Sequence, residues 1–298
     1  LDGAETARRR MLEGAFAPDL LAQFSEILAY FGQSPLIVRS SSLLEDNYGN
    51  AFSGKYESVF CVNQGTPEER LAEFSDAVRR IYASTLSREA LLYRADRGLL
   101  ASDEQMALLV QRVAGSARGG WHCPLVAGVA YSFNPYVWKE GIDPTAGFVR
   151  LVAGLGTRAV DRSDDDNIRL VALGAPLAFP GHGEPAGQER IDLLDLAENR
   201  FATLDVQDIS ATLDGRALIA EIDAELARRA AYDGKTLSRW RLSFRKLLTE
   251  TPFVPDLRTV LETLERAYGC PVDTEFAVTL DSAGELNLNL LQCRPFQG

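Results

Sequence analysis

Apolar residues recur along the chain in two rhythms. Leu20, Leu21, Phe24, Ile27, Leu28 and Phe31 repeat at three- and four-residue intervals, which predicts one apolar stripe on a helix. Pro18 opens that helix and Gly32 ends it. Pro35 to Arg39 (P-L-I-V-R) reads as a short buried strand, and Val59 to Val62 as another. Between them, residues 40–58 are rich in Gly, Asn, Ser and Asp, which predicts loop. Thr66-Pro67-Glu68-Glu69 is a helix start, with Thr as cap, Pro at the first position and Glu at the third. Leu71, Phe74, Val78 and Ile81 follow at helical spacing, and Ser87 caps a further helix running through Arg94.

Three apolar runs then predict buried strands: Met106 to Val113, Leu125 to Phe133 and Phe148 to Ala153. Gly154-Leu155-Gly156 breaks the last of these before a short helix. Asp161 to Asn167 reads as a solvated acidic loop, and Pro176 to Gly187 as an internal linker. Ile209 to Ala231 and Leu237 to Leu248 look helical. Val254 to Tyr268 is an amphipathic helix with Leu257, Val260, Leu261 and Leu264 inward and Gly269 as its stop. Thr274 to Leu280 and Glu285 to Gln292 are strands joined by the turn Asp281-Ser282-Ala283-Gly284. The whole predicts an α/β fold of the α+β type, with no internal repeat.

Composition narrows the function. The 298 residues carry 31 Lys and Arg against 42 Asp and Glu, a net charge of −11. That argues against a nucleic-acid binder, which shows a basic face, but leaves room for a local anion pocket. No apolar run is long enough to span a membrane. Cys61, Cys123, Cys270 and Cys293 show no metal or redox spacing and read as packing thiols of a cytoplasmic protein. His122 and His182 are the only histidines, so a His-built metal site is not expected. The chain begins at Leu1 with no leader, which reads as a piece of something longer.

The C-terminal hairpin carries the sharpest chemistry. With a tight turn, Leu280 faces Glu285, Glu275 faces Leu290 and Asp273 faces Gln292. Strand alternation then puts Asp273, Glu275, Gln292 and Arg294 on one face, with Ala277, Thr279, Leu286, Leu288 and Leu290 completing it. One reading is a solvated hairpin end. The other is a cleft for a Mg–nucleotide: carboxylate and amide oxygens suit Mg²⁺, and the Arg fork suits phosphate.

Six segments in order resemble one family. They are Val38-Arg39-Ser40-Ser41-Ser42-Leu43-Leu44-Glu45-Asp46, Phe52-Ser53-Gly54-Lys55-Tyr56-Glu57-Ser58, Val110-Gln111-Arg112-Val113, Gly128-Val129-Ala130-Tyr131, Gly154-Leu155-Gly156, and Asp273-Thr274-Glu275-Phe276 with Leu291-Gln292-Cys293-Arg294-Pro295. Together they resemble the nucleotide-binding domain of the phosphoenolpyruvate synthase and pyruvate phosphate dikinase family, an ATP-grasp fold. The resemblance implies two lobes around a cleft, here about 1–104 and 105–298, with an insertion near 203–248. It implies ATP and Mg²⁺ as ligands. Arg39 and Arg294 would contact phosphates, Gly54 and Ser58 would close over them, Gln111 would lie beside the adenine, and Glu275 and Gln292 would ligate Mg²⁺.

The departures are specific. The family's Glu after G-L-G is Thr157 here, followed by Arg158, and Leu43 and Leu44 replace smaller residues. The family's upstream Lys has no counterpart before Lys55, which reads as an N-terminal truncation. Arg39 could instead pair with Glu45 or Asp46. Gly119-Gly120-Trp121-His122 only echoes the family's phospho-His motif, so the swivelling phospho-His domain and the pyruvate-binding domain belong elsewhere in a parent protein. The leading expectation is the ATP-binding part of a dikinase-type phosphotransferase. A regulatory or degenerate nucleotide-binding module is the alternative, and a hydrolase built on Asp273 and Glu275 is a weaker third.

Overall fold

The computed structural model describes residues 2–42, 44, 54–160, 167–181, 187–209, 213, 215–223 and 240–296. Two compact units emerge: residues 1–113 with 194–201, and residues 114–193 with 202–296. Among the described residues no helix is long and apolar enough to cross a membrane.

The first unit packs helices on one face of a small sheet. Helices α1 (Asp2–Leu12), α2 (Pro18–Phe31), α3 (Pro67–Ser84) and α4 (Arg88–Asp96) accompany strands β1 (Leu36–Ser42), β2 (Ser58–Cys61) and β3 (Met106–Arg112), in the order β2-β1-β3. The core joins Leu28 of α2, Phe74, Val78 and Ile81 of α3, and Leu36, Val38, Val59 and Cys61 of the sheet. The predicted capping box is present: Thr66 accepts from the Glu69 amide, and the Glu69 carboxylate accepts from the Thr66 amide at 2.8 Å. Ser87 caps α4 through the Ala90 amide at 3.1 Å. Helix α1 escapes the sequence pattern because its arginines and small residues leave no continuous apolar stripe.

Two expectations need correction here. Residues 40–42 are strand rather than loop, because β3 supplies a continuous ladder from Ser40↔Leu108 to Ser42↔Met106. Strand β3 is not buried. It lies at the edge of the three-stranded sheet, so Met106, Leu108 and Val110 pack inward while Ala107 and Leu109 face out.

The second unit is built on the five-stranded antiparallel sheet β14-β13-β6-β7-β8. Its strands are β6 (Val126–Tyr131), β7 (Phe148–Ala153), β8 (Arg169–Ala172), β13 (Val272–Leu280) and β14 (Leu286–Pro295). Helix α9 (Phe253–Tyr268) covers one face, packing Phe253, Leu257 and Leu261 into the cluster of Val126, Ala130, Val149, Leu151, Phe276 and Val278. Gly269 ends α9 in the left-handed region at φ 70°. The other face is partly covered by helix α5 (Thr157–Val160), whose Ala159 packs on Val129 and Val152. At the centre of β6, a Cβ on Gly128 would fall on the Arg150 carbonyl oxygen and 3.2 Å from the Phe276 ring.

A second sheet, β10-β9-β5-β4, contains β4 (Ser116–Arg118), β5 (Trp121–Cys123), β9 (Arg190–Asp195) and β10 (Arg200–Asp205). The segment after β10 is mixed rather than helical throughout. It holds short helices α6 (Val206–Ile209), α7 (Arg216–Ile219) and α8 (Arg245–Thr249), and a two-stranded pair of β11 (Ala220–Ile222) with β12 (Trp240–Leu242). The described part of the Pro- and Gly-rich stretch, residues 176–181 and 187, marks no boundary between the two units and belongs to the second. Arg169 anchors it, donating to the Pro176 carbonyl at 2.8 Å and lying 3.9 Å from the Phe179 ring. The architecture is α+β with antiparallel sheets, as the resemblance implies.

Candidate functional site

In the second unit, the hairpin β13–β14 presents the predicted polar cluster, but by a different register. Asp281 accepts from the Glu285 amide through its side chain and donates its own amide to the Glu285 carbonyl, making the connection one residue longer than a tight turn, with Gly284 at φ 85°. Leu280 therefore faces Leu286. The register shifts again between Glu275 and Phe276, where Leu291 is the extra residue of a bulge. Beyond the bulge Glu275 lies opposite Gln292, and Asp273 opposite Arg294.

The two slips sum to two residues, one full strand period. Asp273, Glu275, Gln292 and Arg294 thus share a face as predicted. Between turn and bulge only one slip applies, which exchanges the faces of β14. Asn287 and Asn289 lie opposite Thr279 and Ala277, in place of the expected leucines. Leu286 and Leu288 instead pack with the core. The face is therefore polar along most of its length. Asn289 donates to the Ala277 carbonyl at 3.3 Å and to Thr279 Oγ1 at 3.2 Å.

Arg294 Nε donates to Asp273 Oδ1 at 2.7 Å. Burial pushes the Asp273 carboxyl up, and Arg294 pulls it back only in part. Burial alone would lower Arg294, but the bond and charge of Asp273, with Glu275 adding, hold it firmly cationic. The register continues across the sheet: Asp273↔Tyr131↔Phe148 and Glu275↔Val129↔Arg150. Tyr131 and Arg150 therefore stand on the same face as the hairpin cluster. Burial pushes the Tyr131 hydroxyl up, and the nearby charge of Arg150 pulls it down. The floor between these polar groups is apolar, formed by Val129 and Val152 under Ala159.

The Gly154 turn leads into α5, where the family's Glu is Thr157. Thr157 Oγ1 donates to Asp192 Oδ2 at 2.7 Å, and Arg158 Nε donates to Oδ1 at 3.0 Å. Thr203 Oγ1 donates to the same Oδ1 at 2.7 Å. Both side chains after G-L-G are thus engaged by one buried carboxylate of β9.

In the first unit, Arg39 of β1 lies opposite Ser58 of β2 and Leu109 of β3, while Ile37 lies opposite Gln111. Arg39, Ser58 and Gln111 accordingly share the sheet face turned away from the core. The glycine segment leading into Ser58 is anchored from its far side. Gly54 sits at φ 75°, a conformation that other residues adopt only with strain. Lys55 Nζ donates to Glu89 Oε1 at 2.8 Å, so it is committed to α4. Tyr56 is buried with Leu44 and Ala90, and its hydroxyl donates to Glu104 Oε2 at 2.5 Å. Glu57 accepts from Arg80 at 3.1 Å. Glu45, Asp46, Phe52 and Ser53 lie outside the described residues, as do His182 and Asp164 to Asp166.

The remaining candidates are packing residues. His122 is buried on β5. Burial, with Glu73 adding, pushes the Cys61 thiol up to about 12, and burial also raises Cys293. Among the described residues no group of three or more His, Cys, Asp and Glu is placed to enclose a metal ion. Tyr131 and Arg150 are further members of the polar face that the hairpin pattern does not reveal. One signal was available: Arg150 is the only polar residue in the apolar run F-V-R-L-V-A.

A family model for the AMP/ATP-binding domain of pyruvate phosphate dikinase matches residues 2–298.

Proposed function

Because the chain belongs to the family of pyruvate phosphate dikinase AMP/ATP-binding domains, we propose that it binds ATP with Mg²⁺ and passes a phosphoryl group to a histidine on a separate domain. The observation that carries this reading is the Glu275–Gln292 pair, directly opposed beyond the bulge and next to Asp273–Arg294. Mg²⁺ takes few protein ligands and keeps the rest of its shell for water and phosphate. One carboxylate and one amide oxygen on adjacent strands fit that demand without a closed cage. When bound, the ion neutralises charge on the phosphate oxygens.

The protein's own part is positioning. Asp273 holds the Arg294 fork in place, and Arg294 meets phosphate through two parallel hydrogen bonds. Arg39 supplies a second phosphate contact, and Gly54 and Ser58 bring the glycine segment over the phosphates. Gln111 lies beside the adenine. No side chain of this chain is needed as a nucleophile, because in-line transfer is driven by orientation and charge neutralisation. The histidine, the swivelling domain that carries it and the domain for a pyruvate-like or other acceptor belong to the rest of a parent protein.

A second reading is a nucleotide-binding module that transfers nothing. The commitment of Thr157 and Arg158 to Asp192 favours it, since no carboxylate follows the G-L-G turn.

Calorimetric titration of ATP, with and without Mg²⁺, tests the binding. Saturable heat is expected in the natural chain and its loss in an Arg294→Ala, Glu275→Gln double variant. Equal heat in both would remove the hairpin from the site. Transfer of label from γ-labelled ATP to a histidine domain added in trans separates the two readings.

A further inference from the structure

Strand β7 is buried at five of its six positions, and the exception is Arg150. An arginine retained in the middle of such a strand has a cost unless its charge reaches water or a partner. Its place in the register is specific. Arg150 and Glu275 flank Val129 on either side, so roughly 10 Å of sheet separates their backbones, two strand spacings. Both side chains rise over the same apolar floor of Val129 and Val152.

Arg150 is also held in position. It stands diagonally beside Tyr131 across the β6–β7 ladder, on the same face. The Tyr131 ring is fixed in turn, stacked on Phe148 with centroids 5.7 Å apart and meeting Phe296 edge-on at 5.6 Å. Among the described residues no carboxylate lies within ion-pair distance of Arg150. The face thus offers one guanidinium already paired, Arg294 with Asp273, and one beside a hydroxyl, Arg150 beside Tyr131.

We propose that Arg150 is a phosphate-binding residue of this site, contacting the phosphate chain of the nucleotide from the side of the sheet opposite Arg294. The inference rests on the nucleotide reading above. A ligand whose phosphates meet this face at the edge of the Val129–Val152–Ala159 cluster would have Glu275 and Gln292 on one flank and Arg150 on the other. Tyr131 then acts as a positioning residue for Arg150.

The test compares ATP and AMP binding to the natural chain, Arg150→Met, Arg150→Lys and Tyr131→Phe, by calorimetry in the presence of Mg²⁺. Methionine keeps most of the apolar stem, and thermal unfolding confirms that each variant folds. Loss of a charge-assisted hydrogen bond predicts a roughly 10- to 100-fold weaker ATP affinity in Arg150→Met. AMP affinity should change by less than about threefold, lysine should restore part of the loss, and Tyr131→Phe should show a smaller loss of the same kind. If the natural chain binds ATP and Arg150→Met binds it equally well, the assignment of Arg150 fails while the nucleotide reading stands. Equal losses for ATP and AMP would also overturn it, showing a structural role. If the natural chain binds neither nucleotide, both readings fall.

Discussion

Asp273 and Arg294 face one another at paired positions of β13 and β14, with Arg294 Nε 2.7 Å from Asp273 Oδ1. Burial nonetheless outweighs this contact and raises the Asp273 carboxyl. A raised pKa in the folded chain means that the folded state binds the proton more tightly than the unfolded state does. The associated stability is complete below the unfolded carboxyl value, about 3.9, and is lost as pH rises through the folded one. Asp273→Asn removes that loss. Its melting temperature, compared with the natural chain across pH 3 to 7, should gain on it as pH rises. A constant difference would show that Asp273 ionises in the folded chain as easily as in the unfolded one.

Asp192 accepts three hydrogen bonds, from Thr157, Arg158 and Thr203. The Arg158 side chain is 12% exposed and that of Asp192 8%. Replacing Asp192 by Ala breaks this buried pair by removing one member, which costs about 3–5 kcal/mol. Urea unfolding should show that loss. The double variant Asp192→Ala, Arg158→Met should recover a large part of it, because it removes both charges of the buried pair.

Tyr56 ties the glycine segment to Glu104 and to the α4 pocket. Tyr56→Phe keeps the ring but removes a bond to a charged group, worth about 1.5–3 kcal/mol. Hydrogen exchange at the 54–58 amides should quicken. Amides of β1 should be unchanged, since the β1–β3 ladder does not depend on this bond.

Gly128 gives β6 and β7 their close approach. Gly128→Ala places a methyl group against the Arg150 carbonyl and the Phe276 ring. Overpacking of this kind costs about 1–3 kcal/mol. Because the displaced backbone carries Arg150, the variant should also weaken ATP binding. Unchanged stability and unchanged binding would mean that the sheet relaxes freely at this point.

Much of this protein is written locally. The helix at 67–84 follows from Thr66, Pro67 and Glu69, whose cap needs nothing beyond its own first turn. Helix α9 follows from the spacing of Leu257, Leu261 and Leu264 and from Gly269. The shared face of Asp273, Glu275, Gln292 and Arg294 was also legible, because strand alternation depends only on parity. Two shifts of one residue each, in the turn and at the Leu291 bulge, leave that parity intact because together they make one strand period.

The character of the rest of that face could not be read from the hairpin alone. A single slip between turn and bulge decides whether leucines or Asn287 and Asn289 stand there, and no local pattern sets it: both Leu-x-Leu and Asn-x-Asn alternate with period two. Only the packing of α9 against one side of the sheet selects the leucines for the interior. The membership of Tyr131 and Arg150 is likewise a tertiary property. They lie more than a hundred residues from Glu275 in the chain and reach its face only through the β13–β6–β7 pairing. Periodicity can assign a residue to one side of its own strand, but which strands stand beside one another is decided by burial of the whole sheet.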